Sequence, residues 1–223
     1  MNINIIQIKK LSKTYGQGAA TIQALRDINL DIKRGEFVAI MGPSGCGKST
    51  LLNMIGALDK PDHGTYILDG KEVANTTNQK TLALIRRDKI GFIFQSFNLL
   101  GRTSALDNVI LPAIYSGLTN RSQKAKEILY KVGLEKRIHH KPSQLSGGEK
   151  QRVAIARSLM NDPEIILADE PTGNLDSRSG GEIMKLLKSL NKEDKTIIAV
   201  THDESIAKQA DRIVRMKDGE IIK

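Results

Sequence analysis

Short apolar runs that stop abruptly at glycine or at charged residues set the rhythm of this chain. Glu36-Phe-Val-Ala-Ile-Met41 halts at Gly42-Pro43, the pattern of a buried strand feeding a loop, and a helix is expected to follow from about Lys48 to Leu58. Glu164–Ala168 and Thr196–Val200 are as compact and end in polar residues, which suits central parallel strands. Weaker alternation predicts strands over residues 3–9 and 26–32. Pro61-Asp62-His63-Gly64 predicts a turn, Thr65–Gly70 a strand closing in another turn, and Lys89–Phe94 a further strand, with residues 79–87 helical in between.

From about residue 97 to 160 the pattern becomes helical and more polar. Ser122 is expected to cap a helix through Val132 that Gly133 stops; Ser146-Gly147-Gly148 opens another, which Asn161-Asp162-Pro163 ends. Sheet, helical insertion and sheet again predict one α/β domain over residues 1–223. Its core spans 1–95 and 161–223, and a helical subdomain occupies about 96–160. There is no internal repeat, low-complexity tract or long linker. No apolar run approaches the ~20 residues of a membrane span. Met1–Ile6 lacks the basic stretch and apolar core of a signal peptide, so a soluble chain is expected.

Composition narrows this only a little. Hydrophobic residues at 39% suffice for a core, and 4% aromatic content without Trp is a poor basis for stacking on nucleic-acid bases. The net charge of +9 could attract nucleic acid, anionic lipid or nucleotide phosphates, but the lysines are scattered, as on an ordinary solvated surface. A single cysteine, Cys46, excludes an intrachain disulfide and points to a reducing compartment.

The chemistry is concentrated where the apolar runs end. Gly42-Pro43-Ser44-Gly45-Cys46-Gly47-Lys48-Ser49 fits G-x-x-x-x-G-K-[ST] between a predicted strand and a predicted helix, the context this phosphate loop requires. Its glycines let backbone N–H groups turn toward phosphate oxygens at a helix N-terminus. Lys48 would reach the β- and γ-phosphates and Ser49 would ligate Mg2+, with Thr50 beside it; Cys46 reads as a spacer. ATP is therefore the expected ligand. Asp169 ends an apolar strand and is placed to hold Mg2+ through water, and Glu170 can polarise the attacking water. Gln95 and His202 also follow strands; Gln95 could touch Mg2+ and water, and His202 the γ-phosphate, although a lone Gln or His at a strand end is more often structural. Leu145-Ser146-Gly147-Gly148-Glu149 opens a second anion-binding helix end, or is simply a capped helix start. One compact chain cannot bring both helix ends to one triphosphate without long loops, so a second chain could supply it.

The ordered set Tyr15, Gly42–Ser49, Gln95, Leu145–Glu149, Ile165–Glu170, Asn174-Leu175-Asp176 and His202 resembles an ATP-binding cassette (ABC) nucleotide-binding domain along essentially the whole chain. The resemblance implies a P-loop NTPase fold: a mixed, largely parallel core sheet, an N-terminal antiparallel β subdomain and an inserted helical subdomain. It further implies that Tyr15 stacks on adenine and that Ser146, Gly147 and Gly148 bind ATP held by a second copy of the chain. Asp176 would lie in the loop communicating across that dimer, Gln95 in a loop facing a permease, and His202 would act as a switch. The signature motif commonly ends in Gln where Glu149 stands, which should matter little to the phosphate contacts. Arg86–Phe92, Phe94–Leu100 and Leu167–Asp176 resemble the lipoprotein-release and macrolide or antimicrobial-peptide exporter branch. Arg102-Thr103-Ser104 departs from that branch, which leaves the partner less defined.

These resemblances imply an ATPase at the inner face of the cell membrane, cytoplasmic and peripheral, driving an integral permease contacted near Gln95–Leu100. Phe97, Leu99 and Leu100 would either dock the permease or fill the helical core. No nucleic acid is expected as a partner. A non-transport membrane regulator and an importer stay open as alternatives.

Overall fold

The computed structural model describes residues 4–16, 20–76 and 78–222; Ile3, the first position of the strand predicted over 3–9, lies outside them. The chain begins with strands β1 (Asn4–Tyr15), β2 (Ile22–Lys33) and β3 (Phe37–Met41), then helix α1 (Lys48–Ile55). Strands β4 (His63–Leu68) and β5 (Lys71–Glu72), helix α2 (Gln79–Lys89) and strand β6 (Ile90–Ile93) follow. The helical stretch holds α3 (Ala105–Ile110), α4 (Arg121–Lys131) and α5 (Gly147–Ser158), with short 3-10 turns between them. The chain then alternates β7 (Ile165–Asp169), α6 (Ser177–Asn191), β8 (Thr196–Val200), α7 (Glu204–Ala207), β9 (Arg212–Lys217) and β10 (Glu220–Ile222).

Two sheets result. The first is antiparallel in the order β2-β1-β4-β5; the second runs β10-β9-β3-β8-β7-β6, parallel from β9 to β6 with β10 antiparallel at its edge. Side chains on the central strands alternate faces, as strand geometry demands. Val38, Ile40, Ile165, Leu167, Ile198 and Val200 join α1 and the first sheet in one core, whereas Ile166, Ala168, Ile197 and Ala199 face a second core shared with α3–α6. Pairing is in register: Ile40 lies against Val200, Val200 against Asp169, and Ala168 against Ile93. All four strands therefore end at one edge, and whatever chemistry follows them is gathered there.

Several local expectations are corrected. The helix after the phosphate loop ends at Ile55, because Gly56 caps it and Ala57 is left-handed at φ 51°. His63 and Gly64 belong to β4 rather than to a turn. A Cβ on Gly64 (φ +95°) would lie 2.4 Å from the Lys10 carbonyl, and the glycine allows β1 and β4 to close where their register shifts. Helix α4 starts at Arg121 with Asn120 at its N-cap and no side-chain cap, so Ser122 lies inside the first turn. Helix α5 stops at Ser158, before Asn161. β5, α3, α6, α7, β9 and β10 were not anticipated.

Candidate active site

The phosphate loop leaves β3 and enters α1. Two of its glycines are required by close approach: a Cβ on Gly42 would stand 2.2 Å from the Met216 carbonyl, and one on Gly47 (φ +100°) 2.4 Å from the Ala24 carbonyl. Helix α1 starts at Gly47 without a side-chain cap. Its N-terminus opens on a cavity of about 540 Å³ lined by Gly45, Gly47, Lys48, Ser49 and Thr50, with Arg26 and Gly219 among the opposite wall. Uncapped N–H groups and the helix dipole make that cavity attractive to an anion. Lys48 is only 8% exposed, and its Nζ donates to the carbonyls of Gly42 and Pro43 at 2.8 Å each. Cys46 is buried and its carbonyl accepts from Gly219 N, as befits a spacer, while Ser44 is exposed. Gly42, Pro43 and His202 border a second, smaller cavity.

Asp169, at the end of β7, is half-buried. Burial first, and the neighbouring Glu170 second, push its carboxyl above the usual range, with Lys48 pulling the other way. Glu170 turns out of the strand at φ 45° while its N–H donates to the Val200 carbonyl at 2.9 Å. This turn sets its Oε1 2.8 Å from His202 Nδ1. Gln95 is exposed just beyond β6; its Nε2 reaches Asn174 Oδ1 at 3.5 Å, and Asn174 Nδ2 donates to the Gln95 carbonyl at 2.9 Å. Gly173 separates the two side chains: a Cβ there would fall 2.8 Å from Gln95 Nε2 and 3.1 Å from Glu170 Oε2. Gln95, Glu170 and His202 thus meet at the sheet edge.

Tyr15 ends β1 with its ring 40% exposed, and its hydroxyl donates to Asp59 Oδ2 at 2.7 Å and also faces Thr50 of the cavity wall. Burial first and the Asp59 contact second push the phenol up to about 12. Lys13 Nζ lies 5.1 Å from the ring centre. Asp59 is a contact that sequence reasoning missed, since nothing local joins the two positions.

The second helix end lies elsewhere. Ser146 caps α5: its Oγ accepts from Glu149 N at 3.2 Å, and Glu149 Oε2 accepts from Ser146 N at 2.8 Å. Arg137 Nε donates to Glu149 Oε1 at 2.9 Å and is the main reason that carboxyl sits below its usual range. Gly147 and Gly148 lie against Leu175 and Ser179. Asp176 caps α6, accepting from Ser179 N at 2.9 Å. None of Tyr15, Ser146, Gly147, Gly148 or Asp176 lines the 540 Å³ cavity.

Mg2+ fits the donors at hand. The Ser49 hydroxyl, the Asp169 carboxylate and the Gln95 amide oxygen are hard oxygen ligands, and a cation relieves the repulsion between Asp169 and Glu170. Among the described residues no group of three or more His, Cys, Asp or Glu is placed to hold a metal.

The sequence profile of the ABC transporter family matches residues 25–173. A macrolide export ATP-binding/permease protein, MacB, of Aggregatibacter actinomycetemcomitans is 54% identical over 99% of this chain, which spans about a third of that relative's length (34%). The ABC transporter ATP-binding protein MJ0796 of Methanocaldococcus jannaschii is 54% identical, with 97% of this chain and 95% of that one aligned. Its dimeric structure in a post-hydrolysis state bound to ADP and Pi superposes with a TM-score of 0.90 at 51% identity, covering 98% of this chain and 97% of that one. Clostridium perfringens cbiO1, part of the transporter complex cbiONQ, matches with a TM-score of 0.88 at 34% identity, over 99% and 87% of the two chains. With its phosphate loop, acid pair and signature helix on this fold, the chain belongs to the ABC transporter family and is an ATPase domain of that family.

Proposed function

We propose that this chain is the ATP-hydrolysing part of a membrane exporter, working as a head-to-tail pair that pulls on a permease. The observation that carries this reading is the separation, within one chain, of two phosphate-binding helix ends: α1 opens on the cavity, and Ser146–Gly148 form no part of its wall. A triphosphate held at Gly42–Thr50 therefore keeps one face for Ser146, Gly147 and Gly148 of a second copy. Tyr15, whose hydroxyl faces Thr50 of the cavity wall, stacks on adenine, and Asp176 lies where the copies meet.

Within each site Lys48 neutralises the β- and γ-phosphates, and Glu170, steadied by His202, takes a proton from the attacking water. Ser49 and Asp169 would hold Mg2+, which would supply charge neutralisation for the leaving group. Gln95 reports the nucleotide state to the surface. Beside it, a groove of about 670 Å³ walled by Leu84, Phe92, Phe94, Leu111, Pro112 and Tyr115 suits the cytoplasmic helix of a permease. Leu99 packs into the helical-side core and Leu100 is half exposed; Phe94 and Tyr115, which line that groove, extend the candidate docking surface beyond Phe97, Leu99 and Leu100. Among the described residues no helix is long and apolar enough to cross a membrane, in keeping with a peripheral place at its cytoplasmic face. The resemblance to macrolide exporters favours a lipophilic, peptide or lipoprotein cargo.

ATP bound across two chains favours the closed pair through its differential affinity; hydrolysis removes that bias. Replacing Glu170 by Gln tests the scheme. Sizing chromatography with ATP should show dimers, with turnover reduced at least about 10²-fold; unchanged turnover would falsify the role of Glu170.

A further inference from the structure

Gln151, a little over one turn into α5, is wholly buried, and its Oε1 is the one buried side-chain polar atom without a partner among the described residues. Its Nε2 donates to the Pro171 carbonyl at 2.6 Å. A carbonyl only accepts, so this bond fixes which end of the amide faces Pro171 and strands the oxygen. A buried acceptor without a donor costs stability, and an apolar side chain of similar volume avoids that cost. Packing alone thus argues against glutamine here; what the residue adds is a tether.

Both ends of the tether matter. Pro171 follows Glu170, whose N–H hangs on the Val200 carbonyl and whose left-handed backbone (φ 45°) depends on the path of the next peptide. On the other side, α5 is the helix that Ser146 opens, with Gly147 and Gly148 packed on Leu175 and Ser179 beyond the same loop. We propose that Gln151 is a positioning residue for hydrolysis: it ties the signature helix to the loop carrying Glu170, so that docking of Ser146–Gly148 on the partner copy's ATP sets the carboxylate of its own chain. The inference rests on the two-copy site proposed above, and it makes each chain's hydrolysis respond to the ATP its partner holds.

Gln151→Met removes the donor and the stranded acceptor together at nearly constant volume. Its unfolding temperature should stay within about 2 °C of the parent. The Kd for a fluorescent ATP analogue should be unchanged, while kcat at saturating ATP falls at least about tenfold, because small misplacement of a catalytic group is expensive in rate. Gln151→Asn keeps the amide but is one methylene short, and should separate kcat from affinity in the same way. An unchanged kcat in Gln151→Met overturns the proposal, and so does failure of both variants to fold, which would assign Gln151 to the core. Glu170→Gln is run in parallel. If it stays monomeric with ATP, the two-copy site fails and the proposal with it; if it dimerises while Gln151→Met is unimpaired, only the role of Gln151 is lost.

Discussion

Asp169 and Glu170 are adjacent carboxylates in different surroundings. Asp169 is held half-buried at the end of β7 beside Glu170, which raises its pKa; Glu170 has turned out toward His202. Carrying a charge there costs the fold something that Lys48 offsets in part and a bound cation would offset further. Asp169→Asn should therefore raise the unfolding temperature of the free chain by about 2 °C. The same change should lower ATP turnover on the order of 10²-fold, as expected for a lost metal-orienting group. A variant less stable than the parent in calorimetry would show that the Asp169 charge is well compensated by Lys48 alone.

At the scale of elements, α5 stands out because it is fastened along its length. Its start is closed by the Ser146–Glu149 capping box, with Arg137 neutralising Glu149, so glutamate in place of the more usual glutamine completes the cap. Its end is fastened by Arg157, whose guanidinium donates to the carbonyls of Phe97, at 2.8 Å, and Asn98. Those two residues are both left-handed, at φ 59° and 49°, and they directly follow Gln95 and Ser96. A half-buried guanidinium bonding two carbonyls holds this strained turn against relaxation. Arg157→Ala should cost about 1–3 kcal/mol in urea denaturation. A loss well under that range would mean the turn holds its shape unaided.

For the molecule as a whole, Ser146→Arg separates binding from assembly. Ser146 does not line the cavity, so the affinity of one chain for ATP should be unchanged while ATP-dependent dimers disappear from sizing chromatography. Monomers of this variant that hydrolyse ATP at the normal rate would defeat the two-copy site. Acid should unfold the chain for a reason spread over its surface. Lys89 holds Asp69, Arg137 holds Glu149 and Lys195 holds Asp162 below the usual carboxylate range. A depressed folded pKa gives stability that is present above the unfolded value of about 4 and is lost as pH falls through the folded one. The unfolding temperature should thus be flat near neutrality and fall below about pH 4; a decline beginning near pH 6 would point to histidine instead.

The phosphate loop, the strands β3, β7 and β8 and the opening of α5 were legible because their signals are local. A run of apolar residues, a glycine spacing or a capping serine acts within a few positions of itself. Helix α6 was equally readable, with Ile183, Met184, Leu187 and Leu190 buried at helical spacing behind the Asp176 cap, yet the glycines at 180 and 181 obscured it. Glycine weakens a helix, and Gly180 is not forced by space: an added Cβ would stand 3.5 Å from the Thr172 Cβ, an ordinary contact. By itself the sequence determined the phosphate-loop motif and the residues expected to bind phosphate, and it marked the start of α5 as either a second anion-binding end or a capped helix start. Only the tertiary structure decided that Gln95, Glu170 and His202 share one edge, that Tyr15 rests on Asp59 and that Gln151 hangs on Pro171. Those meetings depend on strand order and register between segments far apart in the chain, and no local pattern of residues encodes a register. The same ordering inserts the helical segment between β6 and β7 and leaves Ser146–Gly148 out of the cavity wall, as the proposed two-copy site requires.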